Sequence, residues 1–350
     1  MNIKSQPSPI SLENNSVIDL NYSPLFIKHL SLVFLNLPSP LHYLSIHFLS
    51  GRSTSPIYTP LQNHKNRLHL FITTSGQLAQ HYTYISLLES GITNQTMMSQ
   101  LFNLSINKYE FCFEKNDEVM RANFIVNVLC NLISEQGVQH FLKQSISILA
   151  LKGLFYYKNE KLELHTQGYL FTTKYLDVPF LSVSFYMRLI VEVDDLCICF
   201  QQIQYKKDIV PLQKVTVTNL KEGKANTYRK GVTYSLFSVH PKIKNLTKHD
   251  LYIPKEYQWK LQIDDYTVEV NALSKKDIKL GFAQGITDSA YVDVIINQKK
   301  YERKIGYVEY IDSRGLILQE SKESDMQKIL PNQSTSAYLA KNTVKTIKKT

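Results

Sequence analysis

A run near the middle of the chain with apolar residues at every odd position and polar residues at most even positions constrains its fold more than any other feature. Because successive side chains of a strand point to opposite faces, this pattern predicts a long β-strand with one buried face. A partner strand from Leu196 to Ile203 is predicted after a turn at Asp194-Asp195. The alternating run has apolar residues at all seven odd positions, namely Leu181, Val183, Phe185, Met187, Leu189, Val191 and Val193.

The chain beyond Pro211 continues with short alternating segments separated by turns. Such a succession of strands favours a small β-sandwich. Two hairpins are predicted there: Trp259–Ile263 with Tyr266–Val270 around Asp264-Asp265, and Tyr291–Ile296 with Tyr301–Val308 around Asn297–Lys300.

The N-terminal half is predicted to contain helices as well as strands. Apolar residues recur there at intervals of three and four, which is typical of amphipathic helices. Short strands are predicted at Leu44–Phe48 and Leu68–Ile72. The four predicted helices carry these apolar residues: Phe26 to Phe34; Leu78, Tyr82, Ile85 and Leu88; Met97, Leu101, Leu104 and Tyr109; and Met120, Phe124, Ile125, Val128, Leu129, Leu132 and Ile133.

These patterns together predict an α+β fold, in which an N-terminal mixed helix/strand, wedge-like domain precedes a small, mostly-β, sandwich-like domain. We expect no internal repeat. The predicted segments are a flexible N-terminal arm (1–22), a mixed α/β region (23–212), a β-rich domain (213–317) and a flexible basic C-terminal tail (318–350).

The net charge of +10 is concentrated in the C-terminal part of the chain. Residues 1–200 hold 14 basic and 14 acidic side chains, whereas residues 201–350 hold 26 and 16. A basic half suits nucleic acid, an anionic membrane surface or an acidic protein, although a lysine-rich surface often serves only solubility. Nucleic acid is disfavoured, because the sequence has no arginine-rich cluster, zinc-finger spacing or aromatic RNA-binding strand.

Sequence signatures of common enzyme classes are missing. The chain has no G-x-G-x-x-G, Walker, H-E-x-x-H, G-x-S-x-G or calcium-loop motif. His81 beside Tyr82 and Thr83 is a candidate general base, but a single histidine early in a helix is more often a packing or capping residue. Asp194-Asp195 is better explained as a turn than as paired carboxylates. We therefore predict no enzymatic activity and no cofactor.

The four cysteines do not indicate a metal site. Cys112, Cys130, Cys197 and Cys199 form no C-x-x-C motif. Cys197 and Cys199 share one face of a predicted strand, where two thiols fit an apolar core better than a metal site. The N-terminus does not resemble a signal peptide, and the apolar run from Leu25 to Leu37 is too short to span a bilayer. A cytoplasmic location is the default expectation.

The segment from Leu70 to Lys115 resembles TssG, the wedge subunit of the type VI secretion baseplate. The resemblance covers residues 23–212 at most, and the β-rich segment after it does not look like that family's C-terminal region. The Gly-Pro pairs common in the family are absent, and one position often held by tryptophan is Phe113. The matching residues are Gly76, Leu78, His81, Tyr82, Thr83, Leu101, Phe102, Asn103, Tyr109 and Phe113.

The resemblance implies a non-enzymatic structural subunit of a contractile injection machine. Such a subunit forms a hetero-oligomeric wedge with a larger TssF-like protein and contacts TssK-like trimers at the inner face of the cell envelope. Its motif residues are structural, and it needs neither nucleic acid nor membrane insertion. The alternative is a two-domain binding protein whose basic β-domain recognises an anionic partner. An enzyme whose residues converge only in three dimensions is the third possibility.

Overall fold

Every regular element of the described chain is a β-strand. The computed structural model describes residues 26–39, 41–51, 67–74, 82–87, 95–98, 102–106, 110–116, 120–136, 142–157, 160–176, 183–204, 211–241, 243–244, 250–280 and 285–312. Among these residues no helix is present that is long and apolar enough to cross a membrane. The predicted α+β class is therefore wrong, and the predicted arm and tail lie outside the described residues.

Ten strands form the N-terminal sheet, in the order β4-β3-β2-β1-β10-β9-β8-β7-β6-β5. Each neighbouring pair is antiparallel. The strands are β1 (Phe26–Leu37), β2 (His42–Ser50), β3 (Arg67–Thr74), β4 (Tyr82–Leu87), β5 (Gln95–Met98), β6 (Phe102–Ile106), β7 (Glu110–Asn116), β8 (Met120–Gln136), β9 (Leu142–Tyr157) and β10 (Glu160–Leu176).

The C-terminal sheet has the order β14-β13-β12-β11-β22-β21-β19-β18-β15, with β20 paired to β21, and β16 and β17 form a separate two-stranded ribbon. The strands are β11 (Phe185–Val193), β12 (Leu196–Gln204), β13 (Leu212–Asn219), β14 (Lys224–Tyr228), β15 (Val232–Val239), β16 (Ile243–Lys244), β17 (Asp250–Leu251), β18 (Pro254–Ile263), β19 (Tyr266–Ser274), β20 (Lys279–Leu280), β21 (Ile286–Ile296) and β22 (Lys299–Asp312).

The same strand order is used twice, although no internal repeat was predicted. In each sheet the first strand pairs with the last, β1 with β10 and β11 with β22. In each sheet the two edge strands are consecutive in the chain, β4 and β5 in the first and β14 and β15 in the second, although in the second sheet β15 pairs with β18 and β19 with β21. Each half of the chain is thus a meander that closes through its two ends and is open at one place.

The C-terminal sheet must curl strongly, because its two edge strands are consecutive in the chain. Only three residues separate Tyr228 at the end of β14 from Val232 at the start of β15. Such a link spans about 14 Å, whereas the edges of nine flat strands would lie about 38 Å apart. The sheet encloses an apolar core that includes Phe200, Tyr234 and Trp259.

The strongest predicted helix is strand β8, and its bulges explain the error. The register of β8 against β9 shifts twice, between Val128 and Cys130 and between Asn131 and Ile133. Each shift moves the apolar positions by one residue, so that a period of two imitates spacings of three and four. Ile125 is also apolar although it is 40% exposed, which completes the false stripe.

The predicted helix at Phe26–Phe34 is strand β1, which is buried on both faces. A strand covered on both sides is apolar almost throughout, and a helical subset can be picked from such a run. The helix predicted from Leu78 contains β4, and the one predicted from Met97 contains β5 and β6. In these segments neither the length of the apolar run nor its content of β-branched residues distinguished a strand from a helix.

The predicted strands and hairpins of the second half are confirmed. The alternating run is β11 and its partner is β12, joined at Asp194 with φ 52°. The hairpins β18–β19 and β21–β22 are also present. Their turns use positive φ at Asp264 (47°), Asn297 (46°) and Gln298 (73°), as tight hairpins require. The predicted domain limit at 212/213 falls at the start of β13, inside the C-terminal sheet.

A polar seam between the two sheets

The candidate site lies where β1 and β2 of the N-terminal sheet face β11 and β22 of the C-terminal sheet. Ser31 and His47 are opposite each other in the β1–β2 register and share one face. Arg188 and Glu309 are likewise opposite each other in the β11–β22 register. We call the buried polar groups that meet here the polar seam: His29, Ser31, Ser45, His47, Thr73, Tyr186, Arg188, Thr287, Tyr307 and Glu309.

An ion pair between Arg188 and Glu309 forms the centre of the seam. The two side chains are 2% and 0% exposed and are in direct contact. Ser31 Oγ accepts a hydrogen bond from Arg188 Nη2 at 2.7 Å and donates one to Glu309 Oε1 at 3.1 Å. Tyr186 Oη donates to Glu309 Oε2 at 3.1 Å. The carboxylate therefore receives hydrogen bonds from three side chains on both sheets.

The guanidinium of Arg188 is held on its other sides by packing and charge. The ring of Phe171 lies 4.1 Å from its Cζ, a cation–π contact. Burial opposes the charge of Arg188, but Glu309 outweighs it and the pKa of Arg188 is raised. Nε of Arg188 is buried and has no acceptor among the described residues. A buried donor left in this state is expected to bind a ligand or a water.

Two histidines and a tyrosine form a hydrogen-bonded chain beside the ion pair. His29 Nε2 lies 3.2 Å from His47 Nδ1, and His47 Nε2 lies 3.0 Å from Tyr307 Oη. Burial, followed by the neighbouring His47, places the pKa of His29 well below its usual value. Burial also raises the pKa of Tyr307. A neutral imidazole accepts a proton on one nitrogen and donates one from the other, so this chain has the chemistry of a proton relay.

Hydroxyl groups extend the seam towards β21. Ser45 Oγ and Thr73 Oγ1 lie 2.5 Å apart, and Thr287 Oγ1 donates to Thr73 Oγ1 at 3.3 Å. These contacts again join the N-terminal sheet to the C-terminal sheet. The polar groups are therefore arranged along the junction rather than inside one sheet.

A second buried group, the Asp288 cluster of His240, Ser274 and Asp288, begins one residue after Thr287. Ser274 Oγ donates to Asp288 Oδ2 at 2.5 Å, and His240 Nε2 lies 2.9 Å from the same hydroxyl. The backbone N–H of Ser289 donates to Asp288 Oδ1 at 2.8 Å. Burial raises the pKa of Asp288 to about 7. This carboxyl is therefore protonated and deprotonated near neutral pH.

The described residues do not form a metal site. No group of three histidine, cysteine or acidic side chains is arranged to hold an ion in this part of the chain. Cys197 and Cys199 are free, buried and on the same face of β12. Burial raises the pKa of both thiols, that of Cys199 to about 11. The interpretation of this pair as part of an apolar core is confirmed by its packing.

The described residues of the predicted family motif lie in strands that contribute nothing to the polar seam. Tyr82 and Thr83 lie in β4 and not in a helix, Phe102 and Asn103 lie in β6, and Phe113 lies in β7. The motif residues Gly76, Leu78, His81, Leu101 and Tyr109 lie outside the described residues. A structural role for the motif stays a prediction.

The polar seam itself was not predicted from the sequence. One signal was available, because Tyr186, Arg188 and Glu192 are large polar residues on the even face of the alternating run. That face was assigned to solvent, whereas the second sheet covers it. Glu309 and His47 stand in apolar strands without any motif. Their convergence depends on how the two sheets pack.

Solved structures with the same fold include enzymes. A protein described as AttH from Nitrosomonas europaea aligns with a TM-score of 0.54 at 11% identity, over 88% of this chain and 99% of its own. Kievitone hydratase from Nectria haematococca aligns with 0.55 at 7% identity, over 82% and 89%. CghA with Sch210972 aligns with 0.53 at 7% identity, over 83% and 89%. No curated protein matches the chain by sequence.

These comparisons correct the predicted identity. The protein is not a TssG-like baseplate subunit, because its two-sheet fold is that of AttH, kievitone hydratase and CghA. The predicted TssF-like and TssK-like partners lose their basis with that resemblance. The expectation of a non-enzymatic protein is also wrong, because the fold is one that a hydratase uses. The alternative of a binding protein agrees better with this fold.

A family model covers most of the chain and includes the strands from β3 to β22, but not β1 and β2. It matches residues 60–325, from before β3 to beyond β22. The chain therefore belongs to DUF6670, a family of unknown function.

Proposed function

We propose that this protein binds a small organic molecule at the polar seam and catalyses proton transfer on it, as in the addition or removal of water. The observation that carries the proposal is the unpartnered Nε of Arg188, which is buried next to the relay of Tyr307, His47 and His29. This nitrogen is a donor for an oxygen of the ligand. The relay lies beside the ion pair of Arg188 and Glu309, and it can supply a proton to a ligand bound there or remove one from it.

The energetics of the seam support a functional role. A buried ion pair is often less stabilising than apolar residues of similar volume, because both charges lose their hydration. The seam nevertheless holds Arg188 and Glu309 at no more than 2% exposure, together with two histidines. Strongly perturbed titratable groups at a junction between structural units are typical of active sites.

The side chains have distinct roles in this proposal. Arg188, fixed by Glu309, binds the oxygen of the ligand and stabilises negative charge that develops on it. Tyr307, at one end of the chain, takes up or delivers the proton at the ligand, and His47 and His29 pass it along. Kievitone hydratase acts on kievitone by its name, and CghA has been crystallised with Sch210972. Both names support an organic ligand for the shared fold.

An anionic partner for the C-terminal sheet is less well supported. Many lysines of this sheet are balanced by acidic neighbours within 4 Å. A surface of alternating charges attracts anions weakly. The pairs are Lys224 with Glu222, Lys255 with Glu256, Lys260 with Glu269, Lys279 with Asp277, Lys299 with Asp194 and Lys300 with Glu302.

The test uses the full chain, a panel of α,β-unsaturated ketones and phenols, and two matched histidine variants. Binding is measured by native mass spectrometry, and turnover as the gain or loss of one water in the product mass. We expect His47→Gln to keep binding and to lower turnover about 100-fold, the size of a general acid–base contribution. His240→Gln, a buried histidine outside the seam, should keep both. Equal turnover in the two variants, or no binding by any compound, would overturn the proposal.

A further inference from the structure

A second candidate site lies on the outer face of the C-terminal sheet, away from the polar seam. A groove of about 640 Å³ crosses β18, β19 and β21 there. Glu256 is opposite Leu273, and Leu273 is opposite Tyr291, so the three side chains stand in one row across three strands. The rest of the lining includes Phe237, Asp293 and Arg303.

The floor of the groove is an exposed apolar platform. Tyr291 is 48% exposed and Leu273 is 43% exposed, two of the five large apolar side chains that stand out on the described surface. Lys275 Nζ lies 5.1 Å from the centre of the Tyr291 ring. An exposed tyrosine ring next to an exposed leucine offers C–H and π surface to a ligand.

A β-bulge directs Arg303 to the rim of the groove. The register of β21 against β22 shifts between Val292 and Val294, so that two residues of β22 stand opposite Asp293. Arg303 adopts a positive φ of 49°, and its backbone N–H donates to Asp293 Oδ1 at 2.9 Å. Bulges of this kind re-aim a side chain. The guanidinium of Arg303 forms no ion pair with any of the described residues.

Charges of both signs surround the groove. Glu256 and Asp293 are acidic, Arg303 is basic, and Lys275 and Lys255 stand beside Tyr291 and Glu256. A strongly charged ligand of either sign would meet a like charge at the rim. A neutral ligand that both donates and accepts hydrogen bonds can use the carboxylates and the guanidinium together.

We propose that this groove binds a neutral carbohydrate. A pyranose ring has a C–H face that packs on an aromatic ring, and hydroxyl groups that donate to carboxylates and accept from a guanidinium. In this arrangement Tyr291 carries the sugar ring, and Asp293 and Arg303 bind its hydroxyls. The site is independent of proton transfer at the polar seam, which shares no residue with it.

The experiment is saturation-transfer NMR on the full chain with cellobiose, maltose and N,N′-diacetylchitobiose. We expect transfer to the ring C–H protons of at least one sugar. Affinity should fall about tenfold in Tyr291→Ala and in Arg303→Gln, the loss of one stacking contact or one charged hydrogen bond. Tyr156→Ala removes a tyrosine that is 37% exposed on the N-terminal sheet and serves as the matched control.

Three results would overturn the carbohydrate site. The first is the absence of transfer to all three sugars at millimolar concentration. The second is transfer that persists unchanged in both groove variants, and the third is transfer that is lost equally in Tyr156→Ala. Circular dichroism of each variant establishes that the fold is intact. Both groove substitutions are on the surface, and either one alone is sufficient to test the site if the other variant does not fold.

Discussion

Replacing Asp288 by asparagine should make the protein less sensitive to pH. The native pKa of this carboxyl is about 7, because burial disfavours its charged form, whereas its ordinary value is 3.8. An asparagine side chain at this position is neutral at every pH. Its amide oxygen can still accept from the Ser289 N–H, and its NH₂ group can donate to Ser274 Oγ, which reverses the direction of the hydrogen bond between these two side chains.

The direction and size of the effect follow from proton linkage. Below pH about 4 Asp288 is protonated in both the folded and the unfolded chain. As the pH rises towards 7, the unfolded chain releases this proton while the folded chain retains it, so the free energy of unfolding falls. Above pH 7 no further loss occurs. Between pH 5 and pH 8 the contribution amounts to about 3 kcal/mol, at 1.36 kcal/mol for each pKa unit.

Urea unfolding at pH 5, 6, 7 and 8 measures this contribution. Between pH 5 and pH 8 the free energy of unfolding should fall by about 3 kcal/mol more in the natural chain than in the Asp288→Asn variant. The lowered pKa values of His29 and His240 act in the opposite direction, but they are present in both proteins. Asp265→Asn, in an exposed turn, is the control. Parallel stability profiles for the natural chain and Asp288→Asn would refute the buried, neutral carboxyl.

Three further predictions concern the seam and the packing of the sheets. Arg188→Met leaves the carboxylate of Glu309 buried without its ion-pair partner and should lower the free energy of unfolding by about 3–5 kcal/mol. The double variant Arg188→Met with Glu309→Leu should recover most of this loss. Equal losses in the two variants, measured by urea unfolding, would contradict the prediction. Gly168→Ala forces a methyl group against the ring of Phe34 and a backbone carbonyl of β1, and should cost about 1–3 kcal/mol in the same assay; an unchanged midpoint would show that β1 and β10 do not pack as described. Cys197 and Cys199 should resist a thiol reagent in the native protein and react after unfolding; rapid native labelling would contradict their burial.

Alternation predicted the strands correctly where each has one face in an apolar core and one outside it. The β18–β19 hairpin alternates cleanly, and Asp264-Asp265 marks its turn. The prediction failed for β1, which is mostly apolar on both of its faces, and for β8, which is bulged, because alternation is then lost. An apolar pattern with gaps of three and four residues does not distinguish a bulged strand from a helix.

The candidate site was less predictable than the fold. His29 and Arg188 are more than 150 positions apart in the chain, and both were assigned without knowledge of the second sheet. A polar residue on the polar face of an alternating strand is predicted to be exposed to solvent, but it is buried when another sheet packs on that face. The available signals were polar residues in an apolar context, such as His29 in β1 and Arg188 in β11. Such a signal marks a residue but does not identify its partner.

The closure of each sheet through its first and last strands bears on how the molecule arose. Phe26 at the entry of the first unit lies opposite Leu176 at its exit, and Phe185 lies opposite Asp312 in the second. A unit whose entry and exit are neighbours can be copied head to tail with a short connection and no rearrangement of its strands. After such a copying event β1 and β11 would be equivalent strands facing each other. Ser31 and Arg188, which are hydrogen-bonded to each other across the junction, would then lie on two copies of one ancestral strand.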